Sequence, residues 1–138
     1  MSATNAPAEP VDVVSKPSNA SVARTLERLE SAVRAKGLTV FARINHTSGA
    51  RDVGLEMQEA QVLIFGGPKS GTPMMVARPL VALDLPLRAL VWSDALGRVW
   101  VSYNAPGYYL HRYGLPDGLE RNVAAIEALV AAATEDRS

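Results

Sequence analysis

Between Ser21 and Ile44 the spacing of apolar residues changes period, and this constrains the fold more than any other feature of the chain. Val22, Leu26, Leu29 and Val33 recur at intervals of four, three and four, which lines one face of a helix over residues 22–36. Ser21 stands where a hydroxyl can cap the first turn, and Gly37 stands where the helix can leave through a left-handed residue. Immediately beyond, Leu38, Val40, Ala42 and Ile44 alternate with Thr39, Phe41 and Arg43, the period of two of a strand with one mainly apolar face. A helix that must bury a stripe, followed at once by a strand that must bury a face, calls for helices packed on a sheet.

The remaining segments extend that pattern. Val11, Val13 and Val14 predict a short edge strand closed by Lys16-Pro17. Ser48 to Leu55 predicts about two helical turns, and the apolar run Gln61 to Phe65, bounded by Gly66-Gly67-Pro68, predicts a central strand. Gly71 to Arg78 predicts a short helix, with a further turn over Leu80 to Leu83. Leu87 to Asp94 and Arg98 to Asn104 predict two strands joined by Ala95-Leu96-Gly97, with glycine where a hairpin loop needs a positive φ. Tyr108 to Tyr113 adds a turn, and Leu119 to Ala133 forms a closing helix with Leu119, Val123, Ile126 and Val130 on one stripe. The order βαβαβαββα predicts an α+β fold, a two-layer sandwich of helices on one mixed sheet.

Composition narrows the function classes. At 138 residues the chain makes one domain, expected over residues 11–138 behind a flexible N-terminal tail at residues 1–10. It contains no cysteine, which excludes a thiolate metal site, a redox pair and a catalytic thiol. Fourteen basic residues balance fourteen acidic ones, so no basic field invites nucleic acid. The most apolar run, Val76 to Val91, is broken by Arg78, Asp84 and Arg88, and falls short of the roughly 20 apolar residues of a membrane span. With no signal-peptide pattern at its start, the expectation is a cytoplasmic protein without a membrane partner.

Four blocks, Thr39-Val-Phe-Ala-Arg-Ile-Asn-His46, Leu63 to Met75, Leu85 to Trp92 and Val101-Ser-Tyr-Asn104, stand in the order of the domain of unknown function family 302, which the chain resembles from about Val13 to Ala131. The resemblance implies a compact α+β fold, commonly dimeric, with no established reaction or cofactor. Where the family usually shows an Asp-His pair and a Phe-Gly-Asn-Pro turn, this chain has Asn45-His46 and Phe65-Gly66-Gly67-Pro68. The first change removes a carboxylate beside His46, and the second removes an amide that could bond a ligand.

Several residues could carry chemistry. The loop Gly66 to Thr72 leaves a strand and enters a helix, as anion-binding loops do, with Lys69, Ser70 and Thr72 as further donors. Lys69 precedes Ser70-Gly71-Thr72 rather than following a glycine in Gly-Lys-Ser/Thr, which excludes a Walker loop. The competing view is a tight turn whose glycines serve backbone shape alone. His46, expected at a strand end, could exchange a proton or ligate a metal, or merely cap the following turn. His111 reads as a surface residue. No histidine pair stands at helical ligand spacing, so no metal is expected, and Met74-Met75 reads as packing. Gly-x-Ser-x-Gly is absent, which leaves acyl transfer unsupported. Trp92, Trp100, Tyr103, Tyr108, Tyr109 and Tyr113 make up six of the eight aromatics and must cover a core, a subunit contact or a ligand. Arg43, Arg88 and Arg98 read as solvated or paired.

Three functions follow from these residues. The first is a homodimeric binding module for a small anionic or polar ligand near Asn45-His46 and the Gly66–Thr72 loop, with Asn45, Gly66, Gly67, Lys69, Ser70 and Thr72 in contact. The second is a hydrolase, lyase or isomerase with His46 as general acid or base and Lys69 stabilising negative charge. The third is a protein-partner module that uses the aromatic segment Trp92 to Tyr113.

Overall fold

A computed structural model describes residues 9–135. Most of the expected tail, residues 1–8, lies outside the described residues. The chain runs β1 (Val13–Ser18), α1 (Val22–Ala35), β2 (Thr39–Asn45), α2 (His46–Asp52), β3 (Ala60–Gly66) and α3 (Pro68–Ala77). A 3₁₀ segment, Pro79–Asp84, then leads to β4 (Leu87–Ser93), β5 (Val99–Asn104), α4 (Pro106–Tyr113) and α5 (Arg121–Thr134).

The period change is realised as expected. Ser21 caps α1 by accepting from the Arg24 amide, and Gly37 leaves the helix at φ 80°. Val22, Leu26, Leu29 and Val33 are buried against the sheet together with Val123, Ile126 and Val130 of α5. The hairpin also holds: the Asp94 amide donates to the Arg98 carbonyl at 2.9 Å, and Gly97 takes φ 82°.

The sheet has five strands in the order β1-β5-β4-β3-β2, and every neighbouring pair is antiparallel rather than mixed. The physical reason lies in the first crossover. Helix α1 joins β1 to β2, which run in the same direction but occupy opposite edges, so no parallel pair is made. Helices α1 and α5 cover the face that carries Leu63, Phe65, Ala89, Val91 and Val101. The alternate positions Val62, Ile64, Leu90 and Trp92 point to the other face and stand outside that core.

Several boundaries differ from expectation, among them the end of α2 at Asp52 rather than Leu55 and the start of α5 at Arg121 rather than Leu119. Strand β1 continues through Lys16-Pro17, because as an edge strand it pairs only with β5 and can spare the proline's missing donor. Helix α3 opens at Pro68 rather than Gly71, with proline in its first turn, where an amide donor is dispensable. Helix α4 opens at Pro106 for the same reason. Helix α2 begins at His46 rather than Ser48, capped by Asn45.

Candidate functional site

The helix α3 start, the Gly37 turn, the entry to β4 and one side of α5 line a half-open cavity of about 700 Å³. Its position follows from local structure. A bulge between Val40 and Ala42 puts Phe41 out of register on the edge strand, and Phe41 lines the cavity. Gly66 and Gly67 keep the wall thin there. A side chain at Gly67 would press its Cβ to 3.2 Å from Leu38 Cδ2, whereas a Cβ at Gly71 would meet only ordinary contacts at 3.8 Å from Leu85 and Met75.

Gly66, Gly67, Lys69, Ser70 and Thr72, all expected ligand contacts, line this cavity. Three features change how they can act. Pro68 has no amide hydrogen, and the amides of Ser70 and Gly71 both donate to the Gly67 carbonyl, at 3.2 and 3.0 Å. The expected backbone cradle is therefore largely spent on the helix itself. Asn122 of α5, which sequence reasoning did not single out, lines the cavity and donates from Nδ2 to the Ser70 carbonyl at 2.9 Å, tying the loop to the closing helix. Its distance of 52 residues in the chain leaves no local pattern that could have found it. The rest of the wall is mainly apolar, with Leu38, Phe41, Met74, Met75 and Leu85.

Asn45 and His46 are not part of this site. Asn45 pairs with Gln61, while Gly66 pairs with Thr39 at the other end of the same ladder. Five residues at ~3.4 Å separate the two ends by about 17 Å. His46 is exposed in the first turn of α2. The convergence of His46 with Lys69 that an acid–base mechanism requires is thus missing. Asn45 Oδ1 accepts from the Ser48 amide at 2.9 Å, so the capping role considered for His46 belongs to its neighbour.

Both departures from the family pattern fall at helix starts. Asn45 is the N-cap of α2 and Gly67 is the N-cap of α3. Asp and Asn cap equally well, so Asn45 preserves the helix start without a carboxylate. Gly67 caps without a side-chain bond and leaves the adjacent cavity wall bare.

The aromatic segment is chiefly structural. Trp100, Tyr103 and Tyr109 are buried, and Trp92 pairs with Trp100 across the hairpin as expected. Tyr108 donates to Asp84 Oδ2 at 2.9 Å, and Tyr113 donates to the same oxygen. Arg112 donates to the Tyr108 hydroxyl at 2.7 Å, so this cluster pins α4 to the 3₁₀ segment. Burial and the Asp84 carboxylate push the Tyr113 phenol up to about 12. Burial first, and then the Asp84 charge, push Tyr109 up to about 12 as well, so both phenols stay protonated. His111 is exposed and lies 3.5 Å from Asp12. Arg43 and Arg98 pair with Glu30 and Asp94.

Comparison with known proteins fits this picture. The family model "Domain of unknown function DUF302" matches residues 14–133. The crystal structure of an uncharacterized conserved protein DUF302 from Bacillus stearothermophilus superposes with a TM-score of 0.75 at 20% identity, covering 91% of this chain and 97% of that one. The chain is also 40% identical over 118 residues to a Brucella suis protein named fluoride-specific ion channel FluC 1, covering 86% of this chain and 45% of that protein. A Brucella abortus protein of the same name matches at 40% over 43% of its length. The chain thus spans less than half the length of the curated relatives it matches.

Proposed function

The chain belongs to the DUF302 family, and from that premise we propose that it is a small-ligand-binding module whose site is the cavity beside Gly66–Thr72. The observation that carries the proposal is the cavity itself. Its volume of about 700 Å³ falls within the ~300–1,000 Å³ of small-molecule sites, and its lining joins exposed Lys36, Lys69 and Thr72 to a mainly apolar wall with Met74 buried. Five of the residues singled out from sequence line it, and no acid–base pair does. Binding without turnover is therefore the better supported activity.

The longer Brucella relatives support a unit that also works within a larger protein. Among the described residues no helix is long and apolar enough to cross a membrane. We also propose that the module is a homodimer, joined through the sheet face that bears Val62, Ile64 and Leu90.

A thermal-shift screen tests the site. The wild type is heated with a panel of small anions, fluoride included, and of carboxylate and neutral metabolites. A ligand at ~100 times its dissociation constant stabilises the protein by ~2.7 kcal/mol. The expected ligand shift persists in His46→Ala and disappears in Gly71→Leu, whose side chain fills the cavity. A shift lost in His46→Ala but kept in Gly71→Leu would move the site to α2.

A further inference from the structure

Resting on that binding reading, we infer that the ligand is an amphiphile with an apolar body and one anionic head, of the medium-chain carboxylate class. The inference comes from the asymmetry of the lining. Two lysines, Lys36 and Lys69, line the cavity, and no Asp or Glu does. Both lysines are exposed, so their ammonium groups can reach the rim while remaining hydrated. Neither makes an ion pair among the described residues.

The interior has the opposite character. Buried Met74 and half-buried Met75, Leu38 and Leu85 form a wall that holds no charge. A compact inorganic anion would have to exchange its hydration for this wall, and two of the loop amides that could replace that water, those of Ser70 and Gly71, donate to the Gly67 carbonyl instead. A neutral apolar molecule would leave both ammonium groups unused. A chain with a single carboxylate uses both, with its methylenes against the methionines and its head between Lys36, Lys69 and the Ser70 hydroxyl.

The methionines supply the readout. With ¹³C-methyl methionine, the wild-type protein is titrated with decanoate, with decan-1-ol as the same chain without charge, and with acetate as the head without a chain. Decanoate is expected to move the Met74 and Met75 methyl signals saturably while the exposed Met57 stays in place, and acetate is expected to move none. In the Lys36→Gln/Lys69→Gln protein decanoate should bind about tenfold more weakly, the size of two solvent-screened charge contacts, with decan-1-ol unchanged. Equal binding of decanoate and decan-1-ol, insensitive to both substitutions, would overturn the anionic head and leave the cavity proposal standing. If neither chain moves the methionines, the amphiphile is overturned, and the thermal-shift screen then decides separately whether the cavity binds any small molecule.

Discussion

Asp94 shows how much one side chain can organise. Its carboxylate accepts from the Trp100 indole at 3.0 Å, from the Arg98 guanidinium at 2.8 Å and from the backbone amides of Leu96 and Arg98, each at 2.9 Å. The indole bond first, and then the Arg98 and Leu96 donors, outweigh burial and hold the carboxyl at about 2, against an ordinary 3.8. A carboxyl depressed by folding stabilises the protein fully above its unfolded value, and that contribution is lost as pH falls through the folded value. Asp94→Asn is therefore expected to be less stable than wild type at pH 7, with the gap narrowing between pH 4 and pH 2. Urea unfolding followed by tryptophan fluorescence across that range checks it, and a gap independent of pH would remove the charge from the explanation. The hairpin was legible in the sequence, because Gly97 and the alternation around it are local. The four bonds to Asp94 were not, because an Asp in a loop resembles any solvated acid until its donors are placed.

Among the elements, α2 depends most on its cap. It has seven residues, none of them buried, and it includes Gly49, so little packing holds it in place. Asn45→Ala is expected to speed hydrogen exchange of the Ser48 amide about fivefold, equivalent to the ~1 kcal/mol of a lost N-cap. Asn45→Asp should leave exchange within a few tenths of a kcal/mol of wild type, and a large effect of that substitution would mean that Asn45 does more than cap. The contrast with α1 shows where sequence reading works. Helix α1 carries its own stripe, cap and stop, so its limits could be read directly. The starts of α2 and α3 depend on how Asn45-His46 and Gly66-Gly67-Pro68 divide between strand end, cap and helix, which is settled by what the adjoining strand leaves free. The strand ladder also separates Asn45-His46 from the Gly66 loop. His46 stands at the expected strand end, but the helix starts there, two residues earlier than Ser48, and leaves it exposed, while the ladder register sets its neighbour Asn45 about 17 Å from Gly66.

At the scale of the whole molecule, strand order was the least legible property. The hydrophobic pattern identifies which segments are strands, but it does not show that α1 carries the chain from one edge of the sheet to the other. Once the order is known, a second face comes into view, apolar over β2, β3 and β4 apart from Arg88 opposite Ile64, and carrying Ser102 and Ser15 on β5 and β1. Val62 pairs with Leu90 and Ala60 with Trp92, and Ile44, 41% exposed, pairs with Val62 at the edge. Five strands at ~4.8 Å spacing and about six residues at ~3.4 Å give a face of roughly 500 Å². A stable association buries about 800 Å² per partner, so this face comes near the requirement if the adjoining connection adds the exposed Leu55 and Met57. Two copies related by a two-fold axis can both offer such a face, since the contact is self-complementary. Light scattering after size exclusion is expected to give about twice the 14.7 kDa of one chain. Leu90→Lys places a charge at the centre of the face and should return the mass to that of one chain with an unchanged far-UV spectrum. Wild type eluting at the single-chain mass at tens of micromolar would overturn the dimer without touching the cavity, which opens on the helical side of the sheet.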